Sequence, residues 1–210
     1  MGDPVLPTVF IVDDDVVIRR FCVAVLDHEG LPSQEYTCAR EFLEHYDPVR
    51  PGCLLLDMRM PGMTGLELQE ELNRRGAVIP VIFATGVAEV PIAVEAMLQG
   101  AFDYLQKPIS PSDLLERVRR ALAFDASTRA SLLEHRDAQE RFAQLSERER
   151  EVLTMVMGGL SNKQVAGRMR LSSRTVEIHR ASLMKKTGAR NAAHLVRMAM
   201  ELQSRASGAK

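Results

Sequence analysis

Residues 53–65 read CLLLDMRMPGMTG, and the abrupt change within this stretch is the first indication of the fold. The apolar run at residues 53–56 favours a strand that is buried on both faces, as in a parallel sheet. It ends at Asp57, and a Pro-Gly turn signal follows. Because a lone buried carboxylate is costly, Asp57 is either a cap for the next helix or part of a functional site.

Similar apolar runs recur in the first half of the chain and alternate with segments of helical periodicity. The other predicted strands are residues 8–12, 33–36, 81–84 and 103–106, and the predicted helices are about 16–27, 39–45, 66–74 and 91–99. A fifth helix follows Ser110, which can cap it, with Pro111 in the first helical position and Asp113 able to close a capping box. This alternation predicts an α/β fold with a five-stranded parallel sheet covered on both faces. The first, third and fourth strands are the most continuously apolar and are placed centrally, which gives the flavodoxin-like order 2-1-3-4-5.

The rest of the chain is helical by pattern. Residues 122–145 contain no Pro or Gly and are rich in good helix formers, which predicts a long exposed helical linker. Residues 146–202 contain four helix start signals, at Ser146, Ser161, Ser172 and Asn191. The second and third of these helices are separated by MRLSS, which is typical of a helix-turn-helix. We therefore predict three segments, residues 1–121, 122–145 and 146–210.

The charge distribution separates the two ends of the 210-residue chain. The net charge is only −1, but residues 146–210 carry 13 Lys and Arg against 5 Asp and Glu, a net charge of +8, and the remainder carries −9. A basic second domain is a candidate for binding nucleic acid. The three cysteines have no CxxC spacing, no apolar run is long enough to span a membrane, and no signal peptide is evident, so we expect a cytoplasmic protein with reduced cysteines and no membrane partner.

Polar side chains follow four of the predicted strands. They are Asp13, Asp14 and Asp15 after the first strand, Asp57 after the third, Thr85 after the fourth and Lys107 after the fifth. Because the carboxyl ends of parallel strands meet at one edge of a sheet, we expect these side chains to converge there. Asp15 is better explained as the N-cap of the first helix.

The types of these residues indicate phosphoryl chemistry. Crowded carboxylates repel one another, and a hard divalent cation such as Mg²⁺ relieves that repulsion. A carboxylate can also act as the nucleophile and form an aspartyl-phosphate. Asp57 is then the acceptor, Asp14 and Asp13 hold the metal, and Lys107 and Thr85 supply charge and a hydrogen-bond donor to the phosphoryl oxygens.

The motifs IVDDD, LLLDMRMPGMTG, VIFATG and YLQKP resemble the receiver domain of two-component response regulators over about residues 7–122. The resemblance implies that a sensor histidine kinase phosphorylates Asp57. It also implies a site for Mg²⁺, or Mn²⁺, formed by Asp13, Asp14, Asp57 and the backbone carbonyl of Arg59. In FixJ-type members TGHGD often follows the fourth strand, whereas residues 85–89 here read TGVAE.

Three further features follow from the same resemblance. Lys107 pairs with the phosphoryl oxygens, and the Lys107–Pro108 peptide bond is cis. Thr85 and Tyr104 match the switch pair, which reports phosphorylation to the face formed by the predicted helix 91–99 and the fifth strand.

The segments LSERERE, GLSNKQVA and SSRTVEIHRASLMKKTG resemble the helix-turn-helix output domain of the LuxR/NarL/FixJ type over about residues 146–202. A helix at residues 173–186 suits the major groove of double-stranded promoter DNA. The base-reading candidates are Glu177 and Ile178, with Ala181 or Arg180. The candidates for phosphate contacts or support are Asn162, Lys163, Arg174, His179, Lys185 and Lys186. His179 can equally be a packed core histidine, and the last helix can form the dimer contact on DNA.

Together these features predict a response regulator that forms a homodimer when phosphorylated and controls transcription, with RNA polymerase as a further partner. One alternative is an enzyme that uses an aspartyl-phosphate. A haloacid-dehalogenase-type phosphatase needs a second acid two residues after its nucleophile, and Arg59 stands at that position. Another alternative is a regulator that binds DNA without phosphorylation.

Overall fold

The structure is a computed structural model that describes residues 6–86 and 96–208. Most of the predicted helix 91–99 lies outside these residues, as do Val87 and Ala88 of the TGVAE segment. The chain divides into two compact units, Met1–Ala130 and Ser131–Lys210. The predicted boundaries at residues 121 and 145 stay predictions.

The first unit contains a five-stranded parallel sheet. Its strands are β1 (Thr8–Val12), β2 (Ser33–Tyr36), β3 (Gly52–Asp57), β4 (Val81–Thr85) and β5 (Asp103–Gln106). The order is β2-β1-β3-β4-β5, which confirms the predicted order and the central positions of β1, β3 and β4. All residues of these three strands are buried, because helices cover both faces of the sheet.

Helices α1 (Val16–His28), α2 (Ala39–His45), α3 (Gly65–Arg74) and α4 (Pro111–Ala143) alternate with the strands. Asp15 caps α1, as predicted, because its side chain accepts a hydrogen bond from the Val17 N–H at 2.8 Å. Thr64 forms a capping box with Glu67 at the start of α3, so Asp57 is not the cap of this helix. Ser110 Oγ accepts from the Asp113 N–H at the start of α4.

Gly65, the first residue of α3, lies very close to the end of β3. A Cβ atom at this position would lie 2.3 Å from the carbonyl oxygen of Asp57 and 2.9 Å from the ring of Phe83. Only glycine allows this approach. The Gly65 N–H donates to the Met58 carbonyl oxygen at 3.1 Å, and this bond fixes the loop that follows Asp57.

Side chains of successive strand residues pack on opposite faces of the sheet. One core contains Phe10, Leu54, Leu56 and Phe83, and the other contains Val9, Ile11, Cys53, Leu55 and Ile82. Cys22 and Cys53 are buried and Cys38 is partly buried, and all three are unpaired thiols, as predicted.

Helix α4 is held in the first unit by Asp125 and Arg129, two residues of the predicted linker. Asp125 is 1% exposed, and its Oδ2 accepts a hydrogen bond from the Gly52 N–H at 2.9 Å. The Nε atom of Arg129 lies 2.9 Å from both oxygens of Asp125. The Arg129 guanidinium also donates to the carbonyl oxygens of Pro48, Val49 and Arg50. We call this group the Asp125–Arg129 clamp.

The second unit contains helices α5 (Glu147–Met157), α6 (Asn162–Met169), α7 (Ser173–Thr187) and α8 (Ala192–Gly208). Ser146, Ser161, Ser172 and Asn191 accept hydrogen bonds from the first turns of these helices, which confirms the start signals. Helix α8 ends six residues beyond the predicted end at Leu202. In the described part of the chain no helix is both long and apolar enough to cross a membrane.

Candidate functional site

The carboxylates at the ends of β1 and β3 meet at one edge of the sheet, as predicted. Asp57 is the last residue of β3, and Asp13 directly follows β1. One carboxylate oxygen each from Asp13, Asp14 and Asp57 lies within 4.8 Å of the others. Asp13 and Asp57 are buried, whereas Asp14 is exposed at the rim. We call these three residues the acidic cluster.

Lys107 joins two members of the acidic cluster. Its Nζ atom donates to Asp13 Oδ2 at 2.8 Å and to Asp57 Oδ1 at 2.5 Å. Its backbone N–H donates to the carbonyl oxygen of Thr85 at 2.8 Å, which joins the ends of β4 and β5. The Lys107–Pro108 peptide bond is cis, as the resemblance implied. Residues from four strand ends thus converge at this edge.

The electrostatics of the acidic cluster favour a cation. Burial raises the pKa of Asp57; the hydrogen bond and charge of Lys107 counteract this in part, and the Asp13 carboxylate raises the pKa further. Burial lowers the pKa of Lys107, but its hydrogen bonds to Asp13 and Asp57 outweigh this effect and the net pKa is raised. Lys107 bonds two of the three carboxylates, so the acidic cluster carries more negative charge than this one ammonium group can neutralise. A set of carboxylate oxygens in excess of positive charge suits a hard divalent cation.

The remaining predicted residues of the receiver differ in their burial and in their contacts. The Arg59 N–H donates to Asp57 Oδ2 at 3.0 Å, so the start of the loop after β3 orients the carboxylate. Thr85 is fully buried, and its hydroxyl donates to the Gly86 carbonyl oxygen at 3.2 Å. Tyr104 lies on β5 with 40% of its surface exposed. The roles of Thr85 and Tyr104 as a switch and of the Arg59 carbonyl as a ligand stay predictions.

Arg19 was missed by sequence reasoning. It lies on the buried face of α1 with Cys22 and Leu26. Its Nη1 atom donates to the backbone carbonyl oxygen of Asp13 at 2.8 Å, and its Nε atom lies 3.3 Å from Glu35 Oε2. The sequence contained a signal for this role, because Arg19 has the helical spacing of the apolar residues Cys22 and Leu26 and therefore lies on the same face of α1. An arginine on a buried helix face must find polar partners inside the fold.

In the second unit, helix α7 presents one exposed face. Arg174, Glu177, Ile178, Ala181 and Lys185 are exposed and follow helical spacing along α7. Arg174 Nη1 lies 3.6 Å from Glu177 Oε2. Lys163 of α6 is exposed as well, and His179 is partly buried. The face contains both the base-reading candidates and several of the phosphate candidates, and its contacts with DNA stay predictions.

Other predicted DNA-binding residues make contacts within the second unit. Arg180 Nη1 donates to Asn162 Oδ1 at 2.7 Å and joins α7 to α6. Lys186 Nζ donates to Glu149 Oε2 at 2.7 Å, and Ser182 Oγ donates to the other oxygen of Glu149. These bonds, with the Ser146 N–H, lower the pKa of Glu149 to about 2. Sequence reasoning identified the helix start signal at Ser146 but missed this network around Glu149.

Comparisons with known families match both units. Residues 9–119 match the response regulator receiver domain, and residues 143–199 match the luxR family of bacterial regulatory proteins. This chain belongs to the response regulators. A receiver domain implies a sensor kinase as partner, and a luxR-type domain implies binding to DNA.

Full-length relatives show the same combination of domains. The chain is 42% identical to the transcriptional regulatory protein FixJ of Azorhizobium caulinodans over 91% of each sequence. It is 41% identical to FixJ of Rhizobium meliloti, over 92% of this chain and 95% of that protein. The structure of the response regulator StyR matches with a TM-score of 0.84 and 39% identity, over 93% of this chain and 99% of StyR. The protein is therefore a FixJ-like transcriptional regulator, and the predicted family and fold are confirmed.

Proposed function

We propose that a sensor histidine kinase phosphorylates this response regulator on Asp57, and that phosphorylation promotes homodimerisation and control of a promoter. The observation that carries the proposal is the convergence of the acidic cluster with Lys107 at the end of β3. Such a surplus of carboxylates is unfavourable unless a divalent cation neutralises it, and the bound cation can in turn stabilise a phosphoryl group. The luxR-type domain in the same chain supplies the output.

The acidic cluster fits Mg²⁺ or Mn²⁺, because it offers only oxygen donors within 4.8 Å of one another. Asp13, Asp14, Asp57 and the Arg59 carbonyl would hold the ion. When bound, the metal neutralises charge on the phosphoryl oxygens and orients them for transfer. The Asp57 carboxylate attacks the phosphorus, and the bond from phosphorus to the donor breaks as the new bond forms.

Lys107 can act both before and after the phosphoryl group is transferred to Asp57. Before phosphorylation its ammonium group offsets the charges of Asp13 and Asp57. After transfer the same group can donate to a phosphoryl oxygen on Asp57. We infer that Thr85 also donates to the phosphoryl group and that Thr85 and Tyr104 rearrange together, since a ligand shifts an equilibrium only by favouring one state energetically.

For the output we propose that α7 lies in the major groove of double-stranded promoter DNA. Glu177 and Ile178, with Ala181 or Arg180, would read bases, and Arg174 and Lys185 would contact phosphates. A dimer would bind two half-sites. The protein would act in the cytoplasm, where the promoter is, as a regulator rather than an enzyme, and RNA polymerase would be its further partner.

The test measures DNA binding and molecular mass in solution with and without a small acyl phosphate, in the presence of Mg²⁺. Duplexes selected from a random-sequence library by the full-length protein serve as DNA. We expect the phosphodonor to strengthen DNA binding about tenfold and to shift the protein from monomer to dimer. Asp57→Asn should abolish both effects, whereas Asp27→Asn, an exposed control on α1, should keep them. If Asp57→Asn responds like the parent, the proposal is wrong and the alternative of regulation without phosphorylation is favoured.

A further inference from the structure

Arg19 forms a contact with the acidic cluster that the roles assigned above do not use. Its guanidinium is buried, although arginine is almost never fully buried without partners. The bond from its Nη1 atom to the carbonyl oxygen of Asp13 measures 2.8 Å, whereas the contact from its Nε atom to Glu35 measures 3.3 Å. The Glu35 side chain is 50% exposed, so this ion pair is partly screened by solvent. The shorter and better buried contact is therefore the one to the backbone of Asp13.

The position of Asp13 depends on bonds to its backbone as well as to its carboxylate. Asp13 Oδ2 accepts from Lys107, and Oδ1 accepts from the Asp15 N–H at 2.8 Å. The Asp13 N–H donates to the Tyr36 carbonyl oxygen at 3.3 Å at the end of the ladder between β1 and β2. Arg19 Nη1 donates to the carbonyl oxygen of the same residue at 2.8 Å. The peptide unit that joins Asp13 to Asp14 is thereby fixed, and it sets the direction in which both side chains leave the strand.

The arginine also adds positive charge beneath the acidic cluster. Its guanidinium is bonded to the backbone carbonyl oxygen of Asp13, whose carboxylate shares Lys107 with Asp57. A charge-assisted bond to a backbone carbonyl is stronger than a neutral one. The two separate nitrogen atoms reach two partners at once, which a lysine ammonium on a flexible stem reproduces poorly.

We propose that Arg19 is a positioning residue for the divalent-cation site, which it preorganises through the backbone of Asp13. The proposal rests on the proposed function, because it presumes that the acidic cluster binds Mg²⁺. Arg19 contacts the Asp13 backbone and Glu35, so it would act on the cation site only through Asp13. Residues that orient metal ligands in this way change metal affinity about 10- to 100-fold when they are replaced.

The experiment measures Mg²⁺ affinity of the full-length protein by calorimetry, without a phosphodonor. We expect Arg19→Met to raise the Kd for Mg²⁺ about tenfold. Glu35→Gln is the matched control, because it removes the ion pair but keeps the bond from Arg19 to Asp13. It should leave the Kd for Mg²⁺ unchanged. If Arg19→Met does not fold, Arg19→Lys decides the question, and we expect it to raise the Kd while the Tm without metal stays near that of the parent.

A second measurement separates positioning from a merely structural role. The rate of phosphorylation by a small acyl phosphate is followed as a function of Mg²⁺ concentration. For Arg19→Met we expect a higher Mg²⁺ concentration at half-maximal rate and a maximal rate close to that of the parent. A structural role alone would lower the fraction of active protein at every Mg²⁺ concentration and leave the half-maximal point unchanged.

The outcomes distinguish the two proposals. If the parent binds Mg²⁺ and Arg19→Met binds it equally well, the positioning role is wrong and the proposed function stands. If Glu35→Gln weakens Mg²⁺ binding as much as Arg19→Met, the ion pair and not the bond to Asp13 is responsible, and the positioning role is again wrong. If the parent binds no Mg²⁺, the proposed function fails and the inference fails with it.

Discussion

Strand β3 has a buried carboxylate at each end, and the two are neutralised in different ways. At its carboxyl end, Asp57 shares the single ammonium group of Lys107 with Asp13. At its amino end, the Gly52 N–H donates to Asp125, and the Asp125 carboxylate forms an ion pair with Arg129. The Arg129 guanidinium uses its remaining donors on three carbonyl oxygens of the preceding loop. The carboxyl end of β3 therefore has surplus negative charge, whereas at the amino end one carboxylate is balanced by one guanidinium.

Burial and a basic partner do not by themselves identify a functional site. Asp57 and Asp125 are both buried and both contact a cation. They differ in the balance of charges, because the acidic cluster has more carboxylates than Lys107 can satisfy. Surplus carboxylates can accept a metal and a phosphoryl group, whereas a fully satisfied pair only stabilises the fold.

The largest expected effect concerns the Asp125–Arg129 clamp. Arg129→Met leaves the Asp125 carboxylate buried without its charge partner, so we expect the receiver to lose about 3–5 kcal/mol of unfolding free energy. Urea denaturation of the full-length protein measures this loss. The control is Arg74→Met, which removes an exposed ion pair with Glu71 and should cost less than about 1 kcal/mol. Equal losses of unfolding free energy in Arg129→Met and Arg74→Met would mean that the buried Asp125–Arg129 ion pair is no more important for stability than an exposed one.

The same substitution should have opposite effects at the two ends of β3. Asp125→Asn removes charge from a satisfied pair and should destabilise the receiver by about 2 kcal/mol. Asp57→Asn should instead stabilise the metal-free receiver, because burial and the Asp13 carboxylate raise the pKa of Asp57 and thus disfavour its ionised form in the folded state. Denaturation of both variants in a chelator tests this, and a loss of stability for Asp57→Asn would contradict the assigned charge surplus.

Mg²⁺ should stabilise the receiver through the carboxyl end of β3 and not through its amino end. At an ion concentration ten times its Kd, we expect the parent to gain about 1.4 kcal/mol of unfolding free energy. Asp125→Asn should show the same gain from its lower starting stability. Asp57→Asn should gain less, because one ligand is lost. Thermal denaturation across a Mg²⁺ titration measures these gains, and an equal gain in all three proteins would place the ion elsewhere.

Glu149 in the second unit is a buried carboxylate whose contribution to stability depends on pH. Its hydrogen bonds, led by that from Lys186, hold its pKa at about 2, below the ordinary value of 4.5. The stabilisation is therefore fully present above about pH 4.5 and is lost as the pH falls towards 2. Glu149→Gln should remove this part of the acid sensitivity of the second unit, measured by circular dichroism. An unchanged acid profile would mean that the network contributes nothing to it.

The sequence predicted the fold and the acidic cluster because both depend on local patterns. Each strand is a short apolar run, and each polar residue of the cluster directly follows such a run, so parallel pairing alone brings Asp13 and Asp57 together. The Asp125–Arg129 clamp escaped prediction because its partners are 73 or more residues away. In the sequence the pair has the spacing of an ordinary ion pair on an exposed helix, and its segment was therefore interpreted as a linker.

Arg19 and Lys186 show a related limit of the sequence. Both are basic residues whose acceptors lie on other elements, namely the end of β1 for Arg19 and the start of α5 for Lys186. Charge and helical position indicate which face they occupy, but the acceptor depends on packing. Lys186 was accordingly assigned to phosphate contacts or support; it donates to Glu149, and its contact with DNA stays a prediction.

The most direct test of the central claim is to map the phosphoryl group on the full-length protein by mass spectrometry after incubation with Mg²⁺ and a small acyl phosphate. Asp27→Asn and Asp57→Asn are treated in the same way. We predict one phosphoryl group on Asp57 in the parent and in Asp27→Asn, and none in Asp57→Asn. A phosphoryl group that persists in Asp57→Asn, or its absence from the parent with any donor, would contradict the assignment of the acidic cluster as a phosphorylation site.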